Sequence, residues 1–256
     1  MEGNMFCYQC QEAAKGTGCV LKGVCGKKDT TARYMDLLLF VVRGVSVAAD
    51  ALRTKGHEVE ADVNGFVTDA LFSTITNANF DEESILARVR KGLELRDRLK
   101  ARAADAGIAL PEVDELTWNG GEADYLTKSA SVGVLREPNE DLRSLKELLM
   151  YGLKGMAAYH EHAMRLGFAD EAIHAFMQSA LARITVQAMG ADELVALVLE
   201  AGQHGVQVMA LLDQANTTRY GHPELTKVNI GVGKNPGILI SGHDLHDLED
   251  LLRQTE

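Results

Sequence analysis

The sequence predicts a mainly helical protein in three parts: a cysteine-rich loop over residues 1–28, two helical bundles over 29–222, and the start of a Rossmann-like α/β domain over 223–256. Three observations lead to this prediction. All cysteines fall within the first 25 residues, apolar residues then recur at helical spacing, and short β-branched runs follow Pro223.

The four cysteines, Cys7, Cys10, Cys19 and Cys25, follow the pattern Cys-x2-Cys-x8-Cys-x5-Cys. Four thiolates are the full ligand set of a structural zinc ion or of an iron–sulfur cluster. The glycines between them permit the tight bends that wrapping a metal requires. We expect neighbouring apolar side chains to screen the site from water, namely Phe6, Tyr8, Val20, Leu21 and Val24.

Several chemistries remain open on spacing alone. Zinc usually takes two matched short knuckles, whereas the x2 and x5 intervals here are unequal. Disulfides suit small secreted chains, and this chain has 256 residues. A redox Cys-x-x-Cys pair would adjoin a βαβ pattern, and none is visible around Cys7 and Cys10.

The composition limits the possible binding partners and the cellular compartment of the protein. Apolar residues make up 46% of the chain and aromatic residues only 5%, so we expect an aliphatic core. The net charge of −11 argues against nucleic acid and acidic membrane surfaces as partners. The N-terminal residues do not resemble a signal peptide, and no uncharged apolar stretch reaches 18 residues. We therefore expect a cytoplasmic protein whose thiols stay reduced.

The first helical half contains three stretches with helical spacing. The first begins at Thr30 or Thr31, where either hydroxyl can serve as the N-cap, and ends at Gly56. Its apolar face comprises Tyr34, Leu38, Val41, Val45, Ala48 and Leu52. A shorter helix covers about 67–75, and Asp81 caps the next. That helix turns Ile85, Val89 and Leu93 inward and Arg88, Arg90, Lys91, Glu94, Arg96 and Asp97 outward.

The second helical half follows a loop-rich connector over 105–138. Asn139 caps a long helix that ends at Gly167. Its apolar face comprises Leu142, Leu145, Leu149, Leu153 and Met156. Two further helices are predicted over 169–184 and 191–216. The last of these is expected to bury Val195, Val198, Val206, Met209 and Leu212.

The pattern changes after Pro223. Residues 226–230 alternate like a short strand, 231–237 form a turn, and 238–240 are typical of a buried strand. A leucine-rich helix follows, with Asp244 as its expected N-cap. Because one helix cannot cover both faces of a sheet, we expect this α/β domain to be incomplete within the sequence.

Histidines divide into two groups by position. His243 directly follows the second predicted strand, at the end where α/β proteins place their sites, although a capping role is equally compatible with that position. His160 and His162 point to different faces of one helix, so we expect structural roles for both. The run 231–237 lacks the Ser or Thr that a phosphate-binding loop places after its lysine.

Five segments carry a resemblance to the hybrid cluster protein family, also called prismane proteins or hydroxylamine reductases. They are 5–27, 71–80, 139–163, 210–224 and 228–245. The first, MFCYQCQEAAKGTGCVLKGVCGK, and the last, VNIGVGKNPGILISGHDL, are the most specific. The family is built from two helical bundles followed by two α/β domains, so the resemblance implies the same order here.

The resemblance also implies two metal centres. The cysteine spacing is similar to the branch found in anaerobes, in which Cys7, Cys10, Cys19 and Cys25 would bind a [4Fe–4S] cluster. The family's reaction centre is a hybrid [4Fe–2O–2S] cluster, and its first ligand in chain order would be His243. Family members run to roughly twice this length, and the other hybrid-cluster ligands would lie beyond residue 256.

Two functional hypotheses follow. In the first, the chain belongs to an iron–sulfur oxidoreductase that takes electrons from a donor protein and reduces hydroxylamine to ammonia and water, or nitric oxide to nitrous oxide. The second is a stand-alone iron–sulfur electron-transfer module without catalysis. Under both hypotheses we expect the isolated chain to be catalytically silent, because most hybrid-cluster ligands are missing.

Overall fold

A computed structural model describes residues 5–75, 78–242 and 244–256. Within these ranges the chain is mainly helical and contains no strand. The α-helices are α1 (Asp29–Thr54), α2 (Ala61–Ser73), α3 (Glu82–Asp105), α4 (Asp114–Thr117), α5 (Tyr125–Val132), α6 (Glu140–Arg165), α7 (Glu171–Val186), α8 (Ala191–Tyr220) and α9 (Leu245–Thr255). The predicted mainly helical class is confirmed, and α2 begins six residues earlier than the sequence predicted.

Helix α1 lies at the centre of the fold, packed against α3, α7, α5 and α2. The predicted apolar face is confirmed, since Leu38, Val41 and Leu52 are fully buried and Gly56 ends the helix with φ 80°. Other faces of α1 are buried as well, through Leu37 and Phe40. A helix buried on nearly all sides requires neighbours all around it, which the other helices supply.

The start of α1 differs from its prediction. Its N-cap residue is Lys28, and neither Thr30 nor Thr31 caps it. Both hydroxyls instead donate to the Glu82 carboxylate in the first turn of α3, with Thr31 at 2.9 Å. These bonds tie the starts of α1 and α3 together directly behind the cysteine loop.

Helices from the two sequence halves share one continuous apolar core. Helix α1 packs against α7, α2 packs against α6, and α6 packs along α8. The predicted caps of α3 and α6 are confirmed: Asp81 accepts from the Glu83 amide at 3.0 Å, and Asn139 accepts from the Asp141 amide at 3.1 Å. These caps satisfy amides that would otherwise lack partners at the helix starts.

Arg96 was predicted to face solvent, and this was wrong: it is only 1% exposed. Its guanidinium donates to the backbone oxygens of Trp118 at 2.6 Å and Glu115 at 3.3 Å, and it pairs with Asp97 at 2.8 Å. These acceptors offset the cost of burying the charge. They also anchor the connector between the two helical halves against α3.

The predicted register of α8 was also wrong in part. Val195, Val206 and Met209 are exposed, while Val198 and Leu212 are half-buried. The buried positions are Leu194, Leu197, Ala201, Val208 and Ala215. Because α8 carries apolar residues on two faces, periodicity alone did not identify the face that meets α6.

Helix α8 is also long and apolar enough to span a membrane, with a mean hydropathy of 1.4 over its best 18-residue window. Core helices of soluble proteins pass the same test. Within that stretch Leu194 and Leu197 are fully buried, and Glu200 pairs with Arg183 of α7 at 2.9 Å. Only 22% of that window is buried, so these contacts account for one face of α8, and the described residues leave the rest of the helix uncovered.

The two strands predicted over 226–230 and 238–240 do not form. Residues 221–242 have no regular structure, and Leu225, Ile230 and Leu239 are at least 96% exposed. A strand requires a neighbour to pair its backbone groups, and the described chain places none beside this segment. The start of an α/β domain is therefore absent from the described residues, although α9 follows with Asp244 as its N-cap.

Candidate metal centre

The four cysteines are free thiols in the loop that precedes α1. Cys7 and Cys19 face each other as an isolated antiparallel pair: the Cys7 amide donates to the Cys19 oxygen at 3.0 Å, and the Cys19 amide donates to the Cys7 oxygen at 2.8 Å. Cys19 is buried, Cys7 and Cys10 are half-buried, and Cys25 is exposed. The loop is thus closed on itself by backbone bonds rather than by a disulfide.

Backbone amides point at two of the sulfur atoms. The Ala14 amide lies 3.4 Å from Cys19 Sγ. Burial raises the pKa of the Cys7 thiol, while the Gln9 amide and the charge of Lys27 act in the opposite direction. Amide donors of this kind stabilise thiolates and tune the potential of iron–sulfur clusters.

Glycine is required at two positions of the loop. A Cβ at Gly23 would lie 2.8 Å from Cys25 Sγ, and a Cβ at Gly18 would lie 2.7 Å from the Phe6 ring. Gly18 also has φ 137°, which side chains disfavour. At Gly23 the backbone therefore passes close to the Cys25 sulfur, and at Gly18 it passes close to the Phe6 ring.

The predicted apolar screen forms on one side only. Phe6 and Tyr8 pack together with ring centroids 5.3 Å apart, and Tyr8 meets Tyr151 of α6 at 6.0 Å. The expectation was wrong for Val20, Leu21 and Val24, which are exposed. Their side chains are 46%, 63% and 61% exposed, so they do not screen the site from water.

A small cavity with both apolar and ionisable lining adjoins Cys7, between the loop, α1 and α6. Its volume is about 20 Å³, enough for one water molecule. The ionisable side chains that line it, besides Cys7, are Tyr8, Lys27, Asp36, Glu147, Tyr151 and Lys154. This cluster was not among the predicted site residues, although one signal was present in the sequence: Asp36 and Lys154 interrupt apolar helix faces.

Lys154 is the most unusual member of this cluster, because it is 3% exposed. Its Nζ donates to Gln9 Oε1 at 3.4 Å and to the Thr74 oxygen at 3.3 Å, both neutral acceptors. Burial lowers the pKa of Lys154 to about 8, and burial raises the pKa of Asp36 to about 7. Among the described residues no carboxylate lies within 4.0 Å of the Lys154 ammonium.

Lys27 is likewise only 3% exposed and pairs with no carboxylate in the described part of the chain. Its Nζ lies 5.9 Å from the centroid of the Phe80 ring. Buried cations normally have anionic partners. Two buried ammonium groups beside a loop of four thiols therefore fit a negatively charged, thiolate-bound group.

The thiols do not converge on one point. Across residues 5–75, 78–242 and 244–256, no three Cys, His, Asp or Glu side chains are close enough to hold a single metal ion. An iron–sulfur cluster does not require its thiolates to meet at one ion, because each binds a different iron of the same cluster. Free thiols, amide donors and buried lysines are thus the features of this loop that fit a cluster.

His243 lies outside the described residues, so its predicted role as a ligand stays a prediction. Its neighbour Asp244 contacts α6, with Oδ2 2.8 Å from His162 Nδ1. No local sequence pattern predicted this contact between His162 and Asp244. His160 is fully buried and packs against His174 with ring centroids 4.4 Å apart and ring planes tilted by 50°, as expected of a structural residue.

Comparison with known proteins identifies the family. The profile of the Prismane/CO dehydrogenase family matches residues 5–256. The chain is 59% identical over 256 residues to a hydroxylamine reductase of Desulfitobacterium hafniense, covering 99% of this chain and 46% of that protein. Hydroxylamine reductases of Bacteroides thetaiotaomicron and Porphyromonas gingivalis are 56% and 55% identical, over 99% and 100% of this chain and 46% and 47% of theirs. The chain spans about half the length of these relatives, and it belongs to the Prismane/CO dehydrogenase family.

Proposed function

We propose that Cys7, Cys10, Cys19 and Cys25 bind a [4Fe–4S] cluster that receives electrons in an iron–sulfur oxidoreductase. The observation that carries this proposal is the pair of buried ammonium groups, Lys27 and Lys154, beside four free thiols. Four thiolates give a cubane a net negative charge, which is the compensation that buried cations need. The names of the relatives support the oxidoreductase class.

The residues of this chain then hold and shield the site. The Ala14 amide stabilises charge on Cys19 Sγ, and the ring of Tyr8 covers the loop from the side of α6. Lys154 holds the Cys-x2-Cys turn through Gln9. When bound, the cluster supplies one-electron transfer. The exposed Cys25 marks the side from which a donor protein could deliver electrons.

For the whole protein we propose hydroxylamine as the substrate. Its reduction consumes two electrons and two protons and yields ammonia and water, with nitric oxide reduction to nitrous oxide as the second candidate. This chemistry would take place at the hybrid cluster, to which this chain would contribute His243. The substrate assignment is supported by the printed names of the relatives.

Cluster binding is tested by anaerobic reconstitution with iron and sulfide. We expect about four irons and four acid-labile sulfides per chain, as in a cubane. Cys19→Ser removes one ligand and should leave the cluster labile or absent, whereas the exposed loop variant Lys22→Ala should retain it. Binding of zinc without acid-labile sulfide would contradict the proposal.

The assignment of roles is tested by activity. The reconstituted chain should exchange electrons with a reduced viologen dye yet show no sustained reduction of hydroxylamine. A full-length relative, assayed in parallel, should turn over. If both proteins turned over at similar rates, the reaction centre would lie within residues 1–256 and the electron-receiving role would be wrong.

A further inference from the structure

We propose that Lys154 is a charge-compensating residue that raises the reduction potential of the cluster bound by the cysteine loop. This inference rests on the proposed function. It adds to the site a residue of α6, distant in sequence from all four cysteines. Lys154 is a positioning residue here, because it acts through its charge rather than on a substrate.

The geometry places the ammonium group against the loop. Lys154 Nζ bonds Gln9 Oε1, and Gln9 lies between Cys7 and Cys10 in the sequence. Its second acceptor is the Thr74 carbonyl oxygen, so neither bond neutralises the charge. Lys154 and Cys7 also line the same small cavity.

Other charges face that cavity and must be counted. Lys27 adds a second buried cation, and Asp36 and Glu147 add carboxyl groups. Burial raises the pKa of Asp36 to about 7, so at neutral pH its negative charge is only partly present. The two lysines are thus the cations that face this cavity, set against two carboxyl groups, in a chain whose net charge is −11.

Reduction of a cluster adds one negative charge close to this ammonium group. A fixed cation in a site of low dielectric stabilises the reduced form more than the oxidised form. Replacing Lys154 by an uncharged residue should therefore favour the oxidised form at least tenfold, which is 59 mV for a one-electron couple.

The test is a redox titration of the reconstituted chain at fixed pH, in which electron paramagnetic resonance monitors the reduced cluster. Lys154→Gln removes the charge but keeps a donor for Gln9 and Thr74, and Lys154→Met removes both. We expect a more negative midpoint potential for both variants. Lys154→Arg should stay near the wild-type value, as should the exposed control Lys91→Met on α3.

Iron and sulfide analysis of each variant separates the possible failures. A wild-type chain that binds no cluster would refute the proposed function itself. A fully loaded Lys154→Gln chain with unchanged potential would overturn only the inference about Lys154.

Gln9→Met separates charge from anchoring, because it removes the acceptor and leaves the ammonium group. A potential shift as large as that of Lys154→Gln would show that anchoring, not charge, is responsible, and would overturn the inference. If neither uncharged variant loads a cluster, rescue of loading by Lys154→Arg would support charge compensation, and failure of that rescue would contradict it.

Discussion

Two glycine-rich regions of this chain that contain no α-helix are held in opposite ways. The loop over 5–28 closes on itself through the Cys7–Cys19 pair and forms a small core of Met5, Cys19 and Ala32. The segment over 221–242 leaves large apolar side chains almost fully exposed. The difference shows that apolar side chains become buried only where other residues pack against them. For the loop, Ala32 of α1 provides that contact.

Hydrogen exchange should show the largest difference, between the segment 226–240 and helix α1. Amides in the segment have no regular backbone bonds, so they should exchange at nearly intrinsic rates. Amides at Val41–Val45, in the buried centre of α1, should be slowed by more than about a thousandfold. Exchange followed by mass spectrometry measures both. Comparable protection in 226–240 would mean that the predicted strands do form in solution.

Matched leucine truncations should show the next largest effect. Leu149 on α6 is 1% exposed, so Leu149→Ala should lower the free energy of unfolding by roughly 2–5 kcal/mol. Leu239→Ala in the exposed segment should change it by less than about 0.5 kcal/mol. Urea titrations of both variants provide the measurement. A large loss from Leu239→Ala would show that this residue packs against the body.

Local signals in the sequence predicted most of the helical body. Asp81, Asn139 and Asp244 were recognised as caps, and Gly56 and Gly167 as helix ends, because capping depends on residues within one turn. Contacts between distant residues were not predictable in this way. Arg96 finds its carbonyl acceptors about twenty residues away, and the second apolar face of α8 gave two equally periodic choices of register.

The candidate site shows the same limit. Cysteine spacing located the loop, since metal ligands cluster in sequence. The Lys154–Gln9 contact joins residues 145 positions apart, so no local pattern could reveal it. A lone lysine on an apolar helix face was the visible signal. The role of this lysine could be inferred only once the structure placed α6 beside the loop.

Acid should weaken the helical body through His174. Burial lowers its pKa to about 4 from an ordinary 6.5, and the neighbouring charges of His160 and Arg53 act in the same direction, opposed by Asp170. Between these two values the unfolded chain binds a proton that the folded chain does not, so stability falls as pH falls through that window.

The expected loss between pH 7.5 and pH 5 is about 2 kcal/mol. Urea midpoints at the two pH values, compared between wild type and His174→Gln, measure it, because the variant should lose most of this pH dependence. His222→Gln, at an exposed position after α8, should keep it. An unchanged pH dependence in His174→Gln would assign the effect to other groups.

The smallest expected difference lies between two helix caps. Asn139 caps α6 within the body, and Asp244 caps α9 at the end of the chain. Asn139→Ala should lower the urea midpoint by the equivalent of about 1 kcal/mol, a typical cap value. Asp244→Ala should leave that midpoint unchanged, because none of the residues of α9 is fully buried.

Asp244→Ala should instead cause faster amide exchange within 245–255, because it removes both the helix cap and the contact to His162. Residual protection should remain through the pairing of Glu249 with Arg219 of α8. A global loss of stability from Asp244→Ala would show that α9 folds together with the body. In that case 221–242 would be a loop that connects two parts of one cooperatively folding unit.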